Sequence, residues 1–342
     1  MLQTIKYILF SPIDMIILFF GILKYKKTKK NSYKTYKSML RLFCIYGGFV
    51  TDLINNFTKE NIKKKSENQN SRILTEVKQI DEDGLFIKEN FLNFQEISEL
   101  KKIIDEYSFK LRSTDEDIKN FNTEKDKFKF NPNEPKAVLY EVDSEYLINQ
   151  KIIQQILLKD ELISFGRDYF RSEPFFDHVS LSVTTNYKKI ADSSAAQLYH
   201  FDLDRPKWLK FLTYVNDVDL NNGPHCFIKK THKKEFMPFK IRSKGYVRLN
   251  ENDNNITKLK KNEITITAKS GTAIIEDTKG LHKGSVVKDG YRILLNIQLN
   301  SSMFGTPYKV LKFKNIHNGF MEHFKKKRNF FKYTTNINDL IN

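Results

Sequence analysis

The run Tyr291–Asn300, YRILLNIQLN, restricts the fold more than any other stretch, because its alternating residues differ in polarity. Side chains two positions apart on a β-strand lie on the same face. One face would carry Ile293, Leu295, Ile297 and Leu299, and the other Arg292, Leu294, Asn296 and Gln298. A face with an arginine and two amides suits the wall of a pocket better than a dry core.

Strand-like runs dominate the chain from Phe175 onward. HVSLSVTTNY, LKFLTYVNDVD, EITIT and TAIIED are short, rich in β-branched and aromatic residues, and separated by polar turns, which is typical of a sandwich or jelly roll. Before Phe175 the periodicity is helical. One helix should begin at Asn93, with Glu96 completing a capping box, and NQKIIQQILLKDELISFGRDYF predicts a second. The expected fold is therefore mainly β with flanking helices.

Three residues of the β-rich part could bind one metal ion. In QLYHFDLD, His200 and Asp202 are two positions apart and would share a strand face. His282 follows a predicted strand and a glycine turn, and Arg292 begins the next strand. Two histidines and one carboxylate form the facial triad of non-haem Fe(II) oxygenases, and an arginine can bind a carboxylate cosubstrate through two parallel hydrogen bonds.

The sequence resembles the phytanoyl-CoA dioxygenase family of Fe(II)- and 2-oxoglutarate-dependent oxygenases. The resemblance covers roughly residues 80–304 and rests on DGLFIKENFLNFQEISELKK, QLYHFDLD, NNGPHCFIKKTHK and LHKGSVVKDGYRILL, in this order. It implies a double-stranded β-helix (a cupin-like jelly roll), with His200, Asp202 and His282 on iron and Arg292 on 2-oxoglutarate. The lysines of IKKTHK depart from the family's usual proline and glycine, which leaves the substrate open.

Four further residues are candidates near this site. Tyr187 and Gln197 lie on predicted strands beside the triad and are expected to contact the cosubstrate. His225 is expected to line the substrate entrance, and His232 to be structural.

Because Asp202 provides a carboxylate ligand, no coordination position on the iron is left vacant for chloride. Halogenation of the substrate is therefore disfavoured.

The net charge of +17 is concentrated at the two ends of the chain. Residues 1–65 contain thirteen Lys/Arg against three Asp/Glu, and residues 306–342 contain eight against two. The nearly neutral remainder disfavours nucleic-acid binding by the core, and a genome-wide bias toward Lys codons would explain the same excess. The two cysteines are far apart, which fits a reducing cytoplasm.

Composition divides the chain into four parts. Residues 1–65 form a basic, apolar, helical N-terminal extension, 66–79 a linker, 80–305 the dioxygenase domain, and 306–342 a basic C-terminal extension. The apolar run Met15–Leu23 is preceded by Pro12 and Asp14 and followed by lysines. Two readings remain open, a peripheral anchor on the anionic cytoplasmic face of a membrane, or helices packed on the catalytic domain.

The sequence thus predicts a cytoplasmic enzyme that hydroxylates a small-molecule or a lipid- or glycan-linked substrate and releases succinate and CO2. Two other classes remain as alternatives. A non-catalytic jelly-roll binding module would not need the complete triad and arginine, and a membrane-surface adaptor would depend on the basic ends.

Overall fold

The structure is a computed structural model that describes residues 2–60, 71–112, 127–233, 235–246, 248–306, 310–335 and 337–341. Its helices are α1 Leu2–Thr28, α2 Tyr33–Tyr46, α3 Gly48–Thr58, α4 Ser71–Asp83, α5 Phe94–Glu106, α6 Ser144–Ile148, α7 Lys151–Leu157, α8 Asp160–Phe170, α9 Phe239–Arg242, α10 Asn254–Leu259, α11 Met321–Lys326 and α12 Ile337–Ile341. Short 3-10 turns lie at Ser193–Ala195 and Lys260–Asn262.

The strands form two antiparallel sheets. They are β1 Leu85–Lys88, β2 Lys110–Arg112, β3 Leu139–Glu141, β4 Phe175–Thr185, β5 Trp208–Tyr214, β6 His225–Ile228, β7 Glu263–Ile266, β8 Ala273–Glu276, β9 His282–Gly284 and β10 Tyr291–Asn300. The larger sheet has the order β1-β8-β5-β10-β4-β3-β2, and the smaller has the order β7-β6-β9. This arrangement, with helices packed against the larger sheet, confirms the predicted jelly roll with flanking helices.

Strand β10 lies at the centre of the larger sheet, between β4 and β5. Its predicted apolar face packs into the main hydrophobic core, together with residues of α5, α7 and α8. Its other face turns toward the smaller sheet, where Arg292 and Leu294 line a cavity. The alternation in the sequence therefore places this cavity inside the jelly roll.

The predicted helix start at Asn93 is confirmed. The Asn93 side chain accepts the backbone N–H of Glu96 at 2.9 Å, and Glu96 accepts the N–H of Asn93 at 2.9 Å. The single helix expected before Phe175 is instead two helices, α7 and α8, which are separated at Lys159. Lys159 has a ψ of 124°, which is not helical, and its Nζ donates to the Phe91 carbonyl and to Glu96. The helix is therefore interrupted at a residue that makes tertiary contacts, although the apolar pattern of the sequence continues through it.

The four-part division of the chain needs correction. Residues 71–79, predicted as part of a linker, belong to α4, while residues 66–70 lie outside the described residues. The C-terminal segment contributes Phe313, Phe324 and Phe331 to the main core, so residue 305 is not the end of the folded unit. The N-terminal helices share a second core with residues 199–203, which contain the predicted metal ligands.

Helix α2 contacts this ligand-bearing segment directly. Phe43 of α2 packs against Phe201, the residue between His200 and Asp202, with 5.7 Å between ring centroids. Both phenylalanines are almost completely buried. The helices of the N-terminal segment therefore support the back of the candidate metal site.

Replacing Phe43 with Ala should lower the free energy of unfolding by about 3–5 kcal/mol, the usual cost of removing a buried phenylalanine. Phe49→Ala on the neighbouring helix α3 is the matched control, because Phe49 is 63% exposed and should change stability by less than about 0.5 kcal/mol. Urea unfolding measures both. Equal effects would show that Phe43 is not part of the core.

Candidate active site

A short antiparallel bridge brings the two predicted histidine ligands together. The backbone N–H of His200 donates to the His282 carbonyl at 3.0 Å, and the N–H of His282 donates back to His200 at 2.9 Å. The ring centroids lie 4.2 Å apart. The Asp202 N–H donates to the Thr278 carbonyl at 2.8 Å, which joins the same two segments once more.

Backbone carbonyls fix the protonation pattern of both imidazoles. His200 Nδ1 lies 2.8 Å from the Leu198 carbonyl, and His282 Nδ1 lies 2.9 Å from the Gly280 carbonyl. Because a carbonyl oxygen only accepts, each Nδ1 must carry a proton, and in the neutral ring Nε2 then has a free lone pair. Such a bond to the second ring nitrogen is what orients histidine ligands on metals.

The three predicted ligands converge. Asp202 Oδ1 is 3.9 Å from His200 Nε2, and its Oδ2 is 3.5 Å from His282 Nε2. One ligand atom from each residue lies within 4.8 Å of the others. This donor set of two nitrogens and one carboxylate oxygen fits a divalent transition-metal ion.

The ionisation states suit metal binding at the aspartate and at one histidine. Burial, aided by the nearby His282, holds the pKa of His200 well below its ordinary value, so this ring is neutral near pH 7. Burial alone would raise the pKa of Asp202, but Lys210 and His282 outweigh it and hold that pKa well below the usual range. Burial lowers the pKa of His282, but the Asp202 carboxylate overcomes this and raises it.

Lys210 is an unpredicted cation within the site. It points inward from β5, and its Nζ lies 2.7 Å from Asp202 Oδ2. Its charge is stabilised on a second side by the Trp208 ring, whose centroid is 4.8 Å away. Burial opposes the charge, but Asp202 raises the pKa of Lys210 above its ordinary value, so the pair is ionised.

A buried histidine and glutamate form a second polar pair beside the triad. His225 Nε2 lies 2.9 Å from Glu276 Oε2, and both side chains are buried. The His225 ring centroid is 5.8 Å from that of His282. Glu276 Oε1 is buried without a hydrogen-bond partner. His225 lines the cavity, and Glu276 is in register with Lys210 on the neighbouring strand. The predicted place of His225 at the substrate entrance stays a prediction.

Arg292 lies in the wall of the same cavity, and its Nε is a buried donor without a partner. Its Nη1 donates to the Gly223 carbonyl. A Cβ atom at Gly284 would lie 2.7 Å from Nη2, so a side chain at residue 284 would displace the guanidinium from this position. A buried guanidinium with an unpaired N–H group is suited to binding a carboxylate.

The cavity that joins these groups has a volume of about 180 Å³. Its polar walls include the hydroxyl residues Ser182, Thr184, Ser194 and Thr278, and its apolar walls include Leu139, Leu212 and Leu294. The triad, Lys210, His225 and Arg292 all line it. The predicted metal ligands and the predicted cosubstrate arginine therefore line one small cavity.

Tyr187 and Gln197 are not among the residues that line the cavity. The Tyr187 side chain is 42% exposed. Gln197 is buried and accepts the Asp192 N–H at 2.8 Å, which closes the turn that brings Ser194 to the cavity. Their contact with a cosubstrate stays a prediction.

His232 lies outside this cavity, with Nε2 3.1 Å from the Asp81 carbonyl, which agrees with a structural role.

Sequence reasoning missed Lys210 and Glu276. The signal for Lys210 was its place in WLKFLTY, where it shares a strand face with Trp208 and Leu212. Glu276 ends the apolar run TAIIE, which pairs with that strand. A single charged residue in an otherwise apolar strand indicates a buried partner or a pocket.

Comparisons with known proteins place this site in a family. No curated protein sequence matches the chain. Among solved structures, HygX from Streptomyces hygroscopicus with nickel and 2-oxoglutarate bound is 14% identical (TM-score 0.48, 71% of this chain and 91% of that one). EctD from S. alaskensis with 2-oxoglutarate and 5-hydroxyectoine is also 14% identical (TM-score 0.45, 71% and 82%). The epimerase SnoN with Fe3+, alpha ketoglutarate and nogalamycin RO is 11% identical (TM-score 0.47, 67% and 83%).

Residues 80–288, more than half of the chain, match the family model described as Phytanoyl-CoA dioxygenase (PhyH), and the chain therefore belongs to the phytanoyl-CoA dioxygenase family.

Proposed function

We propose that this protein is an Fe(II)- and 2-oxoglutarate-dependent dioxygenase that hydroxylates a small-molecule or a lipid- or glycan-linked substrate. The observation that carries the proposal is the pair of histidines whose Nε2 atoms face the Asp202 carboxylate, with each Nδ1 bonded to a backbone carbonyl. This ligand set leaves coordination positions open, as non-haem Fe(II) oxygenases require. Membership of the phytanoyl-CoA dioxygenase family supports the same cofactors.

The residues of the chain would hold and orient the cofactors and the substrate, and the cofactors would supply the oxidation. Bound iron and 2-oxoglutarate would supply chemistry in which 2-oxoglutarate loses CO2 to become succinate and one oxygen atom of O2 enters the substrate. His200, Asp202 and His282 would hold the iron on one side. Lys210 donates to Asp202 Oδ2 and would keep the carboxylate ionised and oriented to hold the metal.

Arg292 would bind the far carboxylate of 2-oxoglutarate. Arg292 lines the same cavity as the hydroxyl residues Thr184 and Ser182, and its Nε is without a partner. A buried guanidinium needs an anion to compensate its lost hydration. The apolar side chains around it would exclude water, which strengthens the charge-assisted bonds.

Asp202→Asn tests the metal site with little change of shape, because the amide oxygen can still accept from Lys210. Metal affinity and 2-oxoglutarate decarboxylation should each fall by more than about 100-fold, since the loss of a direct ligand exceeds the 10- to 100-fold cost typical of outer-shell changes. Isothermal titration with Fe(II) and a succinate assay measure both quantities. His323→Ala, at an exposed position of α11, is the control.

Unchanged turnover in the Asp202→Asn variant would contradict the triad assignment. Metal binding without turnover in the wild type would favour a non-catalytic binding module.

Arg292→Lys keeps the charge but removes the planar pair of donors. The affinity for 2-oxoglutarate in the metal-loaded protein should fall by about 1.5–3 kcal/mol, the range for a hydrogen bond to a charged group, which is roughly a 10- to 150-fold higher Kd. Metal affinity should not change. Titration of 2-oxoglutarate measures the effect, and Arg167→Lys in the partly exposed pair with Glu173 is the control. An unchanged Kd would place the cosubstrate elsewhere.

Lys210→Met should destabilise the metal-free protein by about 3 kcal/mol, because it leaves the Asp202 carboxylate without its buried cation. A bound divalent ion would compensate that charge, so added metal should raise the Tm more in the variant than in the wild type. Thermal unfolding with and without Ni(II) measures the difference. The control is Lys229→Met, which removes a more exposed pair with Asp83 at 2.9 Å and should cost less than about 1 kcal/mol. Equal metal-induced shifts in Lys210→Met and wild type would show that Lys210 does not compensate the ligand charge.

A further inference from the structure

We infer that α1 and α3 form a docking surface that inserts into one leaflet of an anionic bilayer and lies in the plane of the membrane. The surface, here called the apolar face, consists of Ile5, Ile8, Leu9, Phe10, Ile13, Met15, Ile16, Phe19, Phe20 and Leu23 of α1 and Phe49, Leu53 and Phe57 of α3, and its side chains are 44–71% exposed. The inference does not depend on the proposed catalytic activity.

Helix α1 buries a narrow stripe that includes its small and polar residues, and it directs most of its large apolar residues outward. The buried positions are Ser11, Asp14, Leu18, Gly21 and Tyr25, at alternating spacings of three and four residues. A helix that packs on a soluble core normally buries its apolar stripe and exposes its polar residues. Small residues at helix contacts and apolar residues outside are the pattern of helices that contact lipid.

Helix α3 extends the apolar face. Phe49, Leu53 and Phe57 are four residues apart and so lie along one side of this helix. Lys26, near the end of α1, lies over the Phe57 ring at 5.5 Å from its centroid, so the two helices present adjacent surfaces. Soluble monomers rarely expose apolar patches of more than a few hundred Å², and an area built from thirteen large side chains indicates a partner.

The length and composition of α1 would also allow it to cross a membrane. Within Ile5–Thr28, the most apolar window of 18 residues has a mean hydropathy of 1.9, and 17% of that window is buried. The contacts of α1 argue against a span. Asp14 accepts hydrogen bonds from Ser38 at 2.8 Å and from Arg41 Nε at 2.7 Å, and a Cβ atom at Gly21 would collide with the Thr35 side chain.

These contacts hold the middle of α1 antiparallel to α2, which carries exposed Lys34 and Lys37 and packs on the catalytic domain through Phe43. The end of α1 is attached as well, because the Tyr25 hydroxyl accepts the Met303 N–H at 2.9 Å. Insertion of α1 across a bilayer would carry α2 and its lysines into the hydrocarbon, which costs about 2.5–3.5 kcal/mol per central charge. A helix lying in the interface avoids this cost.

The charges around the apolar face favour anionic lipid over a second copy of the chain. Lys24, Lys26, Lys27, Lys29, Lys30, Lys34 and Lys37 are all exposed. A dimer formed through this face would bring two such lysine clusters together. An anionic bilayer surface attracts each lysine by about 1 kcal/mol, while its acyl chains accept the apolar side chains.

The test is sedimentation of the full-length protein with vesicles of phosphatidylcholine, with or without phosphatidylserine. We expect binding to the phosphatidylserine vesicles that is weaker on phosphatidylcholine alone and partly reversed by salt, because the Debye length falls from about 10 Å at 0.1 M to about 3 Å at 1 M. The double variant Phe19→Ser/Phe20→Ser should bind at least tenfold more weakly. Phe94→Ser is the matched control, since Phe94 is 87% exposed on α5, outside the apolar face, and its binding should be unchanged.

Three outcomes would overturn the inference. Equal vesicle binding by the double variant and the wild type would show that the apolar face does not insert. Complete retention in high salt and alkaline carbonate would indicate a spanning helix. A vesicle-independent dimer that the double variant abolishes would identify a second copy as the occupant. Thermal unfolding of each variant checks its fold, and Asp202→Asn should bind vesicles like wild type, which separates docking from catalysis.

Discussion

The candidate active site depends on one backbone pairing, the reciprocal hydrogen bonds between His200 and His282. These residues are far apart in the chain, and each lies within a segment held by further backbone bonds. The pairing sets the ring separation, and the carbonyls of Leu198 and Gly280 set the tautomers. Because both effects come from the backbone, the metal-binding geometry exists before any metal is bound, and little ordering remains to oppose binding.

The same short segment couples the site to the N-terminal helices. In an extended chain neighbouring side chains point in opposite directions, so His200 and Asp202 face the cavity while Phe201 faces outward to Phe43 of α2. That ring contact buries the back of the ligand segment. Helix α2 also holds α1 through Asp14, so the surface proposed to meet the membrane is connected to the metal site through packed side chains.

Charge inside the cavity is balanced by pairs. Lys210 neutralises Asp202, and His225 bonds to Glu276. Burial would raise the pKa of Glu276, but His225 and nearby positive charge keep it below its ordinary value. Buried charges are tolerated only when they are paired and hydrogen-bonded. Arg292 has no carboxylate partner among the described residues, which is why we propose it as the site that binds the cosubstrate.

The sequence by itself determined the alternation of β10, the capping box at Asn93 and the pairing of His200 with Asp202, because each depends on residue types at short, fixed spacings. The distant ligand His282 and the family followed from the order of several motifs along the chain. Tertiary structure decided the rest. Lys210 and Glu276 meet the site through strand pairing, the helix before Phe175 is divided at Lys159, and the terminal segments share the cores of the domain. It also placed Asp14 inside and the phenylalanines of α1 outside, which composition could not reveal, because hydropathy counts apolar residues but only packing decides which side of a helix the protein covers.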